Sequence, residues 1–488
     1  MKELCFLFLL VSIIVHGQKQ IGDDIEGANV DDLSGFSVSL SSDGNILAIG
    51  APNNDLNGNN SGHVRVFQNQ GAGWSQIGND IEGEISGDSS GYDVSLSSDG
   101  SVVAIGAPYN DGNGNNSGHV RIFKNQSGVW TQLGKDIDGE AAGDQSGRSV
   151  SLSSNGSIVA IGAPSNVESG TQGHVRLYQN IDDNWVQIGE DIDAEALGDN
   201  NGWSVSLSSD GSIVAIGAES NDGNGVDAGH VRVYQNLGGV WTQIGQDIDG
   251  EAAGDRSGYS VSLSSDGSVV AIGAIFNDGN GNGSGHVRIY QNLGGVWTQI
   301  GQDIDGEAEL DLFGWSVFLS SDGSSVAIGA NHNNGNGKDS GHVRVYQNVA
   351  GLWNQIGTDI DGQAAGDQSG HIVSLSPNGN TLAIGSPHNQ TNGEDSGHVR
   401  VFDLTAIFSS TDVILSNIML YPNPSNHLIN VSLEPHNKLE KINLYSPLGQ
   451  LLYSGNRLKL DVSNLAKGNY YVEISTKEGK AVKMIIVK

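Results

Sequence analysis

Three stretches of the chain carry oxygen-bearing side chains at alternate positions: Asp55, Asn57 and Asn59; Asp111, Asn113 and Asn115; and Asp278, Asn280 and Asn282. Oxygen ligands spaced in this way suit Ca2+, a hard cation. An EF-type loop would put Gly sixth and a bidentate Glu twelfth, whereas Asn60 and Asn116 stand sixth here and His63 and His119 follow soon after. Asn, Asp and Gly also build ordinary turns, which is the plain alternative. A second pattern, Asp-Ile-Asp/Glu-Gly-Glu, gathers Asp136, Asp138, Glu140 and Asp144, and again Asp303, Asp305, Glu307, Glu309 and Asp311. It suits either a solvated acidic face or carboxylates through which calcium bridges the protein to an anionic surface or glycan. His332 and His388, with Asp339, Glu394 and Asp395 nearby and His371 in the same region, offer transition-metal donors, set against the plain reading of unliganded loop histidines.

These residues sit in a repeat. Gly-His-Val-Arg begins at Gly62, Gly118, Gly173, Gly229, Gly285, Gly341 and Gly397, at spacings of 55 or 56 residues, and Ala-Ile-Gly and Gln-Ile/Leu-Gly recur in step. Within a unit the hydrophobic period is two: Tyr259, Val261 and Leu263 alternate with Ser260 and Ser262. Such alternation predicts strands. Four strands, A to D, fit each unit, and seven four-stranded units predict an all-β, seven-bladed β-propeller. The last unit lacks a strand D, while Gln20-Ile21-Gly22 supplies an orphan one ahead of the first strand A. Pairing the N-terminal strand into the last blade closes the ring without a free edge.

Strands A and B are joined by Asp-Gly at Asp43, Asp99, Asp210, Asp266 and Asp322 and by Asn-Gly at Asn155 and Asn378. Both dipeptides suit a type I′ turn, and the Asp/Asn exchange favours a structural hairpin over a charged ligand. The B to C and D to A connections share one face. The repeated His and Arg of strand C predict packing or hydrogen bonding between blades, and Trp74, Trp130, Trp185, Trp241, Trp297 and Trp353 predict blade anchors.

Gly35-Phe36 followed by Gly50-Ala51-Pro52, and Gly91-Tyr92 followed by Gly106-Ala107-Pro108, resemble the FG-GAP repeats of the integrin α-subunit propeller. The resemblance spans roughly residues 19 to 403 and implies a module that binds other macromolecules on the B to C and D to A face. In that family calcium sits in an Asp-rich A to B loop. Here that loop is a short hairpin, so the resemblance brings no calcium to it.

Residues 419–488 carry Tyr421-Pro422-Asn423-Pro424, Leu444-Tyr445-Ser446-Pro447-Leu448-Gly449-Gln450, Leu465-Ala466-Lys467-Gly468-Asn469-Tyr470-Tyr471 and the terminal Lys483 to Lys488. Together these resemble a type A sorting domain of the type IX secretion system. The resemblance implies a small β-sandwich recognised at the outer membrane, with the type IX machinery as partner. With 9 basic and 5 acidic residues this tail is +4, which leaves -37 of the formal -33 on the rest of the chain. So acidic a body repels nucleic acid. Glycine (71) and proline (9) together stay below the roughly 25–30 % of low-complexity chains, so the chain folds. The apolar run from Leu4 to Val15 is too short to span a bilayer and predicts a cleaved signal peptide over 1–17, which removes Cys5, the sole cysteine.

The expected organisation is a signal peptide (1–17), a propeller (18–403), a linker (404–418) and a sorting domain (419–488). No HExxH helix, Gly-x-Ser-x-Gly elbow or catalytic cysteine is present. The expected protein is a monomeric, non-catalytic adhesion or binding module without a transmembrane segment, secreted from a Gram-negative bacterium or displayed on its surface. Its ligand would be a glycan or surface macromolecule on the acidic loop face. The alternative is an extracellular polysaccharide-active hydrolase or lyase built on the same propeller.

Overall fold

The computed structural model describes residues 18–71, 73–168, 171–405, 418–433, 438–446, 451–476 and 479–488. The expected signal peptide and most of the linker lie outside these. Seven antiparallel sheets follow one another along residues 18–405. In blade one, strand A is Ser37–Leu40, B is Ile46–Ala51, C is His63–Asn69 and D is Trp74–Gln76. Each later blade repeats this order.

Strand B is buried on both faces, as the uninterrupted apolar run Val102–Ala107 requires of a strand packed between neighbouring blades. Val102, Ala104, Val120 and Ile122 of blade two meet Val150, Leu152, Val159 and Ile161 of blade three in one core. Fully burying each Val or Ile contributes about 1.5–3 kcal/mol. Blades approach so closely that a Cβ on Gly50 would run into the carbonyl oxygen of Gly91, itself at φ 88° in the next blade. Only glycine fits that pair.

The ring closes as expected. Lys19–Gln20 pairs with His398–Asp403, Gln20 facing Phe402, and Ile25–Glu26 pairs farther along the same strand, Glu26 facing His398.

Three local features depart from the sequence reading. Strand D is broken: a two-residue piece such as Ile81–Glu82 returns to pair with strand C, so the start of the acidic D to A link is a strand edge. In blade six both pieces merge into Leu352–Asp361. The A to B connection is not a type I′ turn. Gly44 alone is left-handed there (φ 69°), and Asp43 accepts hydrogen bonds through Oδ1 from Ser41 Oγ (2.7 Å) and Asn45 N (3.0 Å). Asn155 accepts in the same way from Ser153 and Ser157, so the exchange of Asp for Asn preserves the turn. In blade three, strands Ile158–Glu168 and Thr171–Ile181 replace the loop seen elsewhere between B and C.

The tail forms a three-stranded sheet (Met419–Tyr421, Leu428–Ser432, Lys459–Asp461) and a four-stranded one (Leu451–Gly455, Leu439–Tyr445, Gly468–Thr476, Gly479–Val487). Ile429, Val431, Ile442, Leu444, Leu460, Val472, Ile474 and Ile485 form a common core, a small β-sandwich. Among the described residues no helix is long and apolar enough to cross a membrane.

Candidate functional site

Strand A of every blade lines a central cavity of about 380 Å³. Antiparallel pairing sets the start of A beside the end of B, Ser37 against Gly50, so the cavity opens on the face that carries the B to C and D to A links. The residue just ahead of the Ser-Val core of strand A stands at this mouth, one from each blade: Phe36, Tyr92, Arg148, Trp203, Tyr259, Trp315 and His371. Together they form a continuous ring. Ring centroids lie 4.8 Å apart for Phe36 and Tyr92, 5.6 Å for Trp203 and Tyr259, 4.9 Å for Tyr259 and Trp315, 5.7 Å for Trp315 and His371, and 4.7 Å for His371 and Phe36. The Arg148 guanidinium fills the remaining gap, 4.7 Å from the Tyr92 ring and 4.0 Å from Trp203. These are separations at which tilted aromatic pairs and cation–π contacts are favourable. All seven side chains are half-buried, and Tyr109 and His332 from the B to C loops extend the ring outward.

Next to the ring, Asp93 stands where the other blades mostly have serine. Burial pushes its carboxyl up to about 7, against the opposing pull of hydrogen bonds from Val150 N and Val94 N and the charge of Arg148. Burial also drives His371 down to about 3, with His388 adding to the shift.

The structure places the predicted calcium ligands in separate loop tips, one trio per blade. Asp55, Asp111 and Asp278 each accept from a backbone N–H five residues on, at 2.8 Å. The amides of Asn57, Asn113 and Asn280 donate to the carbonyls of Gly83, Gly139 and Gly306, also at 2.8 Å, tying the B to C loop to the D to A link. Asn59, Asn115 and Asn282 are exposed. His332 and His388 each face an aspartate of their own loop, Asp339 at 3.1 Å and Asp395 at 3.3 Å, and both lie near enough to His371 to lower its pKa.

The acids of the D to A links divide into different roles. Asp144 is buried and accepts from Glu140 N and Ala141 N, and Asp311 likewise accepts from Ala308 N. Asp138 belongs to a strand. Asp136 instead approaches His119 and Glu84, with one donor atom of each within 4.8 Å of the others, and the trio recurs as Asp191, His174 and Glu140; Asp247, His230 and Glu195; and Asp303, His286 and Glu251. The repeated arginines act across blades, Arg121 Nη2 donating to Glu82 O (2.6 Å) and Arg288 Nη2 to Asp249 O (2.6 Å).

Sequence reasoning missed the ring at the channel mouth and the His/Asp/Glu trios. The ring left a signal, since the residue after the glycine that precedes Ser-Val is aromatic in five of the seven units, yet the linear pattern does not show that these side chains meet. The trios left only the fixed order of Gln, Asp, Glu, His and Arg in each period.

Comparison with known proteins fits this architecture. Residues 84–123 match the FG-GAP repeat, a stretch that includes Tyr92, Asp93 and His119, and residues 419–488 match the secretion system C-terminal sorting domain. The tail is a type IX sorting domain. The sorting domain marks the protein for export to the cell surface or extracellular space and implies contact with the type IX machinery. Neither matched family is catalytic. No curated protein sequence matches the chain significantly. Among solved structures, hydrazine synthase of Kuenenia stuttgartiensis is 12 % identical, covering 78 % of this chain and 98 % of its own, with a TM-score of 0.50. U3-55K is 14 % identical with the same two coverages and a TM-score of 0.46. The first likeness is one of fold alone, that of a β-propeller.

Proposed function

We propose that the protein is a non-catalytic adhesion or binding module, delivered by its sorting domain, that holds a glycan or other surface macromolecule across the mouth of the propeller channel. The observation that carries this reading is the ring of aromatic side chains with Arg148 among them. Half-buried aromatic faces suit the apolar faces of sugars, and the surrounding carboxylates and amides supply polar contacts. Calcium held in the loops of Asp55, Asp111 and Asp278 belongs to the same proposal; the exposed Asn59, Asn115 and Asn282 favour it, while the turn hydrogen bonds compete with it. A ring closed on its own N-terminal strand offers no sheet edge to a second copy, which favours a monomer. The proposed units remain a propeller over 18–403, a linker over 404–418 and a sorting domain over 419–488, after loss of 1–17.

The test is a screen of the mature protein against glycans and cell surfaces, with and without chelator. Trp203→Ala and Trp315→Ala each lower affinity at least about tenfold, the scale of a lost stacking contact. Undiminished binding in both variants would reject the channel mouth, and undiminished binding in chelator the calcium. One feature favours the second reading, a polysaccharide hydrolase or lyase: burial pushes the Asp93 carboxyl up to about 7, the range that suits a general acid or base. Turnover of a polysaccharide that disappears in Asp93→Asn would establish that reading instead.

A further inference from the structure

The Gln, Asp, Glu, His and Arg that mark each repeat meet in one place, the junction between consecutive blades. At the junction of blades two and three, His174 Nδ1 lies 3.4 Å from Asp191 Oδ2 and 3.9 Å from Glu140 Oε2. The carboxylates are held by their other oxygens: Gln187 Nε2 donates to Asp191 Oδ1 (2.6 Å), and Arg176 Nη1 stands 3.5 Å from Glu140 Oε1. Asp191, Glu140 and His174 thus converge, one donor atom of each lying within 4.8 Å of the others. The next junction repeats it, with Asp247 Oδ1 taken by Gln243, Arg232 beside Glu195 Oε1, and His230 Nδ1 3.9 Å from Asp247 Oδ2.

The imidazoles of His174 and His230 are fully buried, and their Nδ1 atoms make no hydrogen bond although they face these oxygens. An imidazole nitrogen that makes no hydrogen bond can present its lone pair to a ligand. Tetrahedral zinc with bonds of about 2.0–2.2 Å holds neighbouring donors roughly 3.3–3.6 Å apart. Ligands oriented by outer partners, as Gln187 and Arg176 orient theirs, are the usual construction of such sites.

Blade six shows that this position accepts positive charge. There Arg344 turns its guanidinium between the two carboxylates, binding Asp359 through Nε (2.9 Å) and Nη2 (2.8 Å) and touching Glu307. In blade seven Gln363 replaces the glutamate and its amide takes Asp24 Oδ2 (2.9 Å), so that Asp24 and His398 are joined instead by Glu26 in a differently built trio; ahead of blade one the same position is Ala28.

We infer that four blade junctions are divalent transition-metal sites suited to zinc, bound by Asp136, His119 and Glu84 and by the three equivalent trios centred on His174, His230 and His286. Each ion would cross-link two blades, with its fourth position open to water on the half-exposed glutamate side.

The test is equilibrium dialysis of the metal-stripped mature protein against zinc chloride, with metal analysis and thermal melts. The expected result is uptake near four zinc per chain and a higher melting temperature than in chelator. The quadruple variant Glu84→Gln, Glu140→Gln, Glu195→Gln and Glu251→Gln, which copies the amide that Gln363 presents in blade seven, keeps the melting temperature seen in chelator but loses the uptake and the zinc-dependent rise. Asp266→Asn with Asp322→Asn, in A to B turns where blades three and seven already carry asparagine, retains both. Zinc uptake below one per chain, uptake unchanged in the quadruple variant, or displacement of the bound zinc by an equal concentration of calcium would overturn the assignment.

Discussion

Asp93 occupies a position that is serine in five of the other six blades, Ser37, Ser149, Ser204, Ser260 and Ser316, where the hydroxyl of each donates to a glycine carbonyl of the next blade. Asp93 instead accepts from Val150 N at 2.7 Å. Its carboxyl is raised to about 7 by burial, so in the folded state it keeps a proton that the unfolded chain releases near pH 4. That difference lowers stability as pH rises from about 4 to 7 and is constant above. Asp93→Ser therefore stabilises the protein by roughly 1–2 kcal/mol at pH 8 and by much less at pH 4, a figure held below the full shift because Asp93 lines the channel and is only partly buried. Urea melts at the two pH values check it; an equal gain at both would show that the carboxyl is not raised. The substitution was visible in the sequence as a break in the Ser-Val-Ser-Leu pattern. Its effect on proton binding was not, because burial is a property of the closed ring.

Strand D works through its tryptophan. Trp74, Trp130, Trp185, Trp241, Trp297 and Trp353 each donate an Nε1 hydrogen bond to a backbone carbonyl of the preceding blade, at 2.8 to 3.1 Å. The anchoring role expected from repetition is thus an interblade hydrogen bond joined to apolar packing. Trp297, at 4 % exposure, is among the most buried of the six. Trp297→Phe should cost about 1–2 kcal/mol by leaving Ile244 O without its donor, and Trp297→Ala about 3–5 kcal/mol by also emptying the contact. Denaturant unfolding measures both, and equal costs would place all of the stability in the hydrogen bond. Repetition alone showed that strand D matters. Its break into two pieces, which turns part of the acidic link into a strand edge facing strand C, was hidden because two-residue strands carry no period.

The whole ring depends on residues 18–26. Lys19–Gln20 and Ile25–Glu26 complete blade seven, and Ile21 N and Gly27 N add bonds to Val401 O and Gly397 O at 2.7 and 2.8 Å. Blade seven has no tryptophan of its own, and Gln18 donates to Thr358 O in its place. Deleting residues 18–26 exposes the edge of His398–Asp403. The expected outcome is a loss of more than about 3 kcal/mol together with concentration-dependent self-association in size-exclusion chromatography. A monomer of unchanged stability would show that the ring does not need this closure.

The sequence by itself determined the number of blades, the order of strands within each, the closure by the N-terminal strand and the sorting tail, because each rests on a local period or motif repeated in register. Tertiary structure alone decided which side chains meet. Phe36 and His371 are 335 positions apart in the chain yet stack at 4.7 Å, and Glu140 reaches His174 only because one blade ends where the next begins. Circular closure sets such contacts, bringing the same position of every repeat to one axis and the end of one repeat against the middle of the next. A linear pattern shows that a position recurs. Only the closed ring determines whether recurrence becomes an aromatic rim, a donor trio or a hydrogen bond between blades.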